Sequence, residues 1–112
     1  MSDVNARIQG LIDASPVFLF MKGTPTFPQC GFSATVISIL DHLGVRYDSA
    51  NILEDADLRQ GIKDFSSWPT IPQLYVKGEF VGGCDITKQL FQLARLEHLL
   101  GDVASAEELT LH

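Results

Sequence analysis

Val17-Phe18-Leu19-Phe20-Met21 is a run of five apolar residues with no polar alternation. A strand with one wet face alternates apolar and polar residues, so a continuous run bounded by breakers reads as a strand buried on both faces. Ser15-Pro16 stands before it and Lys22-Gly23 after it. Such a strand needs a layer on each side of its sheet. That requirement excludes a one-layer domain and favours α/β organisation. With 112 residues the chain has room for one core of this kind and no second one.

The flanking patterns supply the layers. Val4, Ile8, Leu11 and Ile12 recur at helical spacing, which predicts a helix over 3–13 with Ser2 or Asp3 as its cap. A loop over 22–29, punctuated by Gly23, Pro25 and Pro28, leads to a helix over 31–43 carrying Val36, Leu40 and Leu43, with Gly44 as its stop. Val45 and Tyr47 open a second strand over 45–51. Asp55 caps a helix bearing Leu58, Ile62 and Phe65. Strands over 73–76 and 79–81 flank Lys77-Gly78, a two-residue hairpin signal. Asp85 is placed to cap a fourth helix with Ile86, Leu90 and Leu93, continuing to Leu100 and ended by Gly101. A βαβ unit followed by a ββα unit gives a four-stranded mixed sheet with helices on both faces. Residues 1–101 form the domain. Residues 102–112, which carry Asp102, Glu107 and Glu108 and no Lys or Arg, form an acidic, frayed tail.

Charge and cysteine content narrow the function classes. The net charge of −6 does not suit nucleic-acid binding. No apolar run approaches the roughly 20 residues of a membrane span. The N-terminal Met1-Ser2-Asp3-Val4-Asn5 lacks signal-peptide character, so the expected location is the cytoplasm, and the compact form suggests a bacterial one. Two cysteines, Cys30 and Cys84, are too few for a disulfide scaffold or for a four-cysteine metal site built by one chain. His42, His98 and His112 have no metal-ligand spacing and read as surface residues.

Cys30 is the chemically informative residue. It directly precedes a predicted helix, where unpaired N–H groups and a positive partial charge favour thiolate over thiol. Lys22, at the end of the buried strand, can add positive charge. An inert buried cysteine is the alternative, but Gly31 and the loop argue for an exposed strand-to-helix corner. In Cys30-Gly31-Phe32-Ser33 a hydroxyl stands where a dithiol enzyme would carry its second cysteine. Exchange at Cys30 therefore needs an external thiol or Cys84 to resolve it.

Two further segments stand out. In Trp68-Pro69-Thr70-Ile71-Pro72, two prolines make either a plain loop into a strand or a turn with one cis bond; with a cis Ile71–Pro72 bond, the Ile71 backbone faces outward and can pair with an extended peptide. In Gly82-Gly83-Cys84-Asp85 the glycines permit close backbone approach, and Asp85 can cap, accept an ammonium, or both. Cys84 is open between a rim thiol and a small residue in a turn. Arg59 is the better candidate for a carboxylate contact, and Lys63, one turn on, reads as part of a solvated face.

Together, Lys22-Gly23-Thr24-Pro25, Pro28-Gln29-Cys30-Gly31-Phe32-Ser33, Trp68-Pro69-Thr70-Ile71-Pro72-Gln73 and Gly82-Gly83-Cys84-Asp85 resemble the monothiol, CGFS-type glutaredoxins over about residues 5–100. The resemblance implies a thioredoxin-like fold, a cis Pro72 and a glutathione site beside Cys30. It implies that Lys22 and Arg59 hold the glutathione carboxylates and that Ile71 pairs through its backbone with the cysteinyl part. Cys84 and Asp85, next to Gly83, hold the γ-glutamyl end, and Phe32 lies against the site. The family often has Phe at the position of Ile71 and Asp at the position of Asn51.

The resemblance also implies a labile [2Fe–2S] cluster bridging a homodimer, with Cys30 from each of two chains and two glutathione thiolates as ligands. The chain is then a monomer without the cluster. Its implied role is cluster storage and transfer to iron–sulfur acceptor proteins, in iron homeostasis, with BolA-like proteins as partners. By ligand counting alone, Cys30 and Cys84 from each of two chains would also make four; the resemblance disfavours that set. The alternative function is glutathione-dependent thiol–disulfide exchange, deglutathionylation through Cys30.

Overall fold

The computed structural model describes residues 2–93 together with Arg95, Leu96 and Leu100. The elements are α1 (Ser2–Asp13), β1 (Val17–Met21), α2 (Gly31–His42), β2 (Asp48–Asn51), a single 3-10 turn (Ile52–Glu54), α3 (Ala56–Ser66), β3 (Gln73–Val76), β4 (Glu79–Gly82) and α4 (Cys84–Gln92). The four strands form one mixed sheet in the order β2-β1-β3-β4. β2 runs parallel to β1, β3 antiparallel to β1, and β4 antiparallel to β3.

All five residues of β1 are buried, and the side-chain alternation of a strand splits them between two cores. Val17, Leu19 and Met21 pack with Val36, Ile37 and Leu40 of α2 and with Leu96 and Leu100 beyond α4. Phe18 and Phe20 pack with Ile8 and Ile12 of α1 and with Leu58 and Ile62 of α3. Each fully buried side chain of this size contributes roughly 1.5–3 kcal/mol by leaving water. Phe20 also meets the Tyr75 ring edge-on, with centroids 5.6 Å apart.

The helix ends follow local rules. Asp55 Oδ1 accepts from the Leu58 N–H at 3.0 Å, so this residue caps α3 as the sequence indicates. Gly44 follows the end of α2 with φ of 69°. Lys77 and Gly78 both have positive φ, as a type I′ hairpin requires.

Three expectations need correction. The second strand begins at Asp48, not Val45; Val45 to Tyr47 lead into the edge strand without pairing to β1, although Val45 and Tyr47 pack against the core. Asp85 does not cap α4: Gly83 is the capping residue, in extended conformation, and Asp85 sits inside the first turn. Leu93 lies past the end of α4 at 65% exposure, while Leu90 and Phe91 carry the packing. His42 is exposed, as expected, and lies edge-on to Phe91. His98, His112, Gly101 and the acidic tail lie outside the described residues. No helix among the described residues is long and apolar enough to cross a membrane.

The two-sided burial of β1 has a measurable consequence. Phe20→Ala should cost about 3–5 kcal/mol, the range for emptying a well-packed aromatic site. Urea unfolding monitored by circular dichroism should show a lower midpoint with an unchanged slope.

Candidate functional site

β1 ends at Met21, and the chain turns at Lys22 into a short loop that returns to the start of α2. The loop is folded, not slack. The Gln29 N–H donates to the Lys22 carbonyl at 2.9 Å, the Thr24 N–H to the Phe27 carbonyl at 3.1 Å, and Gly23 bridges to Pro28. It delivers Cys30 to the N-terminus of α2, as the capping residue in extended conformation with φ of −151°. A cysteine there offers no capping oxygen, and its side chain makes no capping hydrogen bond.

The thiol responds to this setting. Its partial burial pushes its pKa up, but the Ser33 and Phe32 N–H groups, the Lys22 charge and the Ser33 hydroxyl outweigh that and hold it below the ordinary thiol value. Ser33 is itself fully buried, and its hydroxyl accepts from the Lys22 N–H at 3.2 Å. The residue that replaces a second thiol thus ties the end of β1 to the first turn of α2. Cys84 behaves oppositely. Burial and the Asp85 charge push its pKa up, the Cys30 charge adds to this, and Lys88 and Thr35 only partly offset it. The two thiols share one cleft, with the Cys30 thiol the more acidic of the pair. Both are free thiols.

The opposite wall is the segment before β3. Its Ile71–Pro72 bond is cis, the second of the two alternatives the sequence left open. The segment is braced from below by Gln73, which is fully buried. The Gln73 amide donates to the Trp68 carbonyl at 3.1 Å and to the Thr70 carbonyl at 3.2 Å, and its oxygen accepts from the Tyr75 hydroxyl at 3.2 Å. Gly83 completes the wall: a Cβ there would lie 3.1 Å from the Pro72 carbonyl oxygen and 3.3 Å from the Trp68 ring nitrogen. A side chain at this position would require the Pro72 carbonyl or the Trp68 ring to give way by a few tenths of an ångström.

The result is a cleft of about 440 Å³, within the usual range for small-ligand sites. Lys22, Cys30, Phe32, Arg59, Ile71, Pro72, Gly83, Cys84 and Asp85 all line it, so the fold brings together the residues that the resemblance assigns to the glutathione site. Lys63, which the sequence places on a solvated helix face, lines it as well and is half-buried. The signal was present: Lys63 is one helical turn from Arg59, and residues four apart share a face. Trp68, Pro69, Thr70, Ile52 and Ile86 complete the lining. The sequence marks Gln73 as the start of a strand and as the last residue of a family-like segment, without a role of its own. Its bracing role was missed because its partners, though only three and five residues away, are backbone carbonyls whose direction depends on how the loop turns. The cleft is cationic on the side of Lys22, Arg59 and Lys63, with one carboxylate, Asp85, at the other end. Phe32 stands 62% exposed at its mouth.

A thioredoxin-like sheet with an activated thiol at the start of α2 and a cis-proline loop facing it defines the class. The glutaredoxin family model matches residues 17–81, more than half of the chain. A monothiol glutaredoxin, glutaredoxin-5 of Lachancea kluyveri mitochondria, is 53% identical over 104 residues, covering 90% of this chain and 73% of that one. A probable monothiol glutaredoxin of Rickettsia typhi is 55% identical over 95 residues, covering 85% and 86%. The solution structure of reduced apo GrxS14 from poplar superposes with a TM-score of 0.79 at 48% identity, covering 89% of this chain and 92% of that one. The chain belongs to the monothiol glutaredoxins.

The split between the thiols should be visible in alkylation by iodoacetamide, followed peptide by peptide in the mass spectrometer. Because its pKa is lowered, Cys30 should reach its full rate at a pH below that of an ordinary thiol; because its pKa is raised, Cys84 should need a higher pH. Lys22→Met should move the Cys30 profile upward only part of the way, since the Ser33 and Phe32 N–H groups remain.

Proposed function

We propose that this chain binds glutathione in the cleft beside Cys30 and, as a pair of chains, carries a [2Fe–2S] cluster that it stores and hands to acceptor proteins. The observation that carries this reading is an activated Cys30 thiol at the mouth of a cationic cleft, with a buried, hydrogen-bonded serine where a resolving thiol would stand. Glutathione is an extended tripeptide with two carboxylates and one ammonium. Lys22 and Arg59 suit the carboxylates, the Ile71 backbone suits the extended main chain, and Asp85 suits the ammonium. The γ-glutamyl end then lies beside Gly83, at Cys84 and Asp85.

Cluster cargo fits the same residues. Iron–sulfur clusters are held mainly by thiolates, four for a [2Fe–2S] centre. Among the described residues no group of three His, Cys, Asp or Glu is placed to hold a metal, so one chain offers Cys30 and must share the rest. Two Cys30 thiolates and two glutathione thiolates supply four ligands. Cys84 serves less well, because its raised pKa disfavours the thiolate. On this reading the chain is a monomer without cluster and a homodimer with it. BolA-like proteins can replace one subunit, and the cluster's recipients place the chain in iron homeostasis.

A second reading rests on the acidity of the Cys30 thiol. The Cys30 thiolate can attack the glutathionyl sulfur of a mixed disulfide, expelling the protein thiolate. A glutathione thiolate then displaces Cys30 and leaves as glutathione disulfide. This route needs one cysteine only and is compatible with Ser33.

Anaerobic reconstitution with iron, sulfide and glutathione should give a brown protein with visible charge-transfer bands and doubled mass. Cys30→Ser should abolish both. A colourless product, or a cluster unchanged in Cys30→Ser, would reject the carrier role; turnover of a glutathione mixed disulfide above background would then favour the second reading.

A further inference from the structure

Lys22 owes its position to three backbone hydrogen bonds. Its own N–H donates to Ser33 Oγ at 3.2 Å, and its carbonyl accepts from the Gln29 N–H at 2.9 Å. The following N–H, that of Gly23, donates to Asn51 Oδ1 at 2.8 Å. Asn51 is the last residue of β2, the strand that pairs with β1, and Met21 lies opposite it in register. The same Oδ1 accepts from the Leu53 N–H at 3.0 Å and so caps the 3-10 turn that leads to α3. One side-chain oxygen therefore joins the two walls that carry the cations. On one side is the loop of Lys22. On the other is the 3-10 turn, whose Ile52 lines the cleft, followed by the Asp55 cap of α3, the helix of Arg59 and Lys63.

The chemistry of this acceptor is specific. An amide oxygen accepts two N–H groups without charge, whereas an apolar residue would leave both donors short of their partner. A carboxylate would accept both but would bring a negative charge next to the Lys22–Gly23 peptide, on the side of the cleft where positive charge is concentrated.

We propose that Asn51 is a positioning residue of the site: it fixes the Lys22–Gly23 peptide against the 3-10 turn and so holds the Lys22 ammonium where a ligand carboxylate can reach it. Asn51 does not line the cleft, so it acts through Lys22 and not by touching the ligand. This inference rests on the glutathione reading, and the experiment below separates the two.

The test is calorimetric binding of S-methylglutathione, which has both carboxylates and the ammonium but no free thiol. It is measured on the full chain in a double-mutant cycle of Asn51→Ala and Lys22→Met. If Asn51 works through Lys22, Asn51→Ala should weaken binding about five- to twentyfold in the wild-type background and less than about twofold once Lys22 is Met, because coupled residues are non-additive. Equal weakening in both backgrounds, or none in either, overturns the proposal while leaving glutathione binding intact. Failure of the unsubstituted chain to bind overturns the glutathione reading and this proposal with it. Asn51→Asp keeps both acceptor bonds and guards against a variant that fails to fold. Because both acceptor bonds remain, its loss of binding should be smaller than that of Asn51→Ala. A loss as large as that expected of Asn51→Ala would overturn the proposal.

Discussion

The burial of β1 on both faces is the constraint on which the rest of the molecule depends. A strand with no polar side can exist only between two layers, and its alternation assigns Val17, Leu19 and Met21 to one layer and Phe18 and Phe20 to the other. The two helix pairs, α2 with α4 and α1 with α3, exist to cover these faces. Once β1 is fixed at the centre of the sheet, its C-terminal end at Met21 and Lys22 is fixed as well. Everything chemical is built at that end.

The site is then a meeting of chain ends. The end of β1 gives Lys22, the start of α2 gives Cys30, α3 gives Arg59 near its start and Lys63 in its last turn, and the start of α4 gives Cys84 and Asp85. Helix N-termini and strand ends bring unpaired N–H groups with them. The Ser33 and Phe32 N–H groups there favour the thiolate form of Cys30. The buried Ser33 hydroxyl and the buried Gln73 amide pin the two walls from behind. Polar groups with several partners at such positions rigidify a cleft, because losing one partner leaves another unsatisfied. Monothiol character follows from the same arrangement. The position of a resolving thiol is occupied by a hydroxyl that is engaged with the backbone, and the other free thiol, Cys84, is held toward its protonated form.

Much of this was legible in residue order. The apolar run of β1, the Asp55 cap, the Gly44 stop and the Lys77-Gly78 turn are local signals, and each falls where it was read. The motif residues of the cleft were legible for the same reason, since each sits at an element boundary marked by proline, glycine or a capping residue. What failed was decided by packing. Val45 and Tyr47 alternate like a strand, but strand character needs a partner, and pairing with β1 starts only at Asp48. Asp85 has the right side chain for a cap, but α4 already begins at Cys84, with Gly83 in extended conformation before it. That the solvated face of Lys63 borders the cleft was not legible from the helix itself, because a single helix does not reveal what its exposed face will confront.

Sequence by itself determined the class of fold, the strand-to-helix corner at Cys30 and the lack of a second thiol beside it. These depend on hydrophobic periodicity, on turn residues and on residue identity, all of which act over a few positions. Only the tertiary structure decided that Gln73 braces the facing loop, that Asn51 ties the Lys22 loop to the turn before α3, and that Lys63 joins Arg59 on the cleft. Those contacts join residues up to 28 positions apart, or aim a side chain at a backbone group whose position no local pattern encodes. Hydrogen bonds of that kind form only once the two cores have set the distances between the elements.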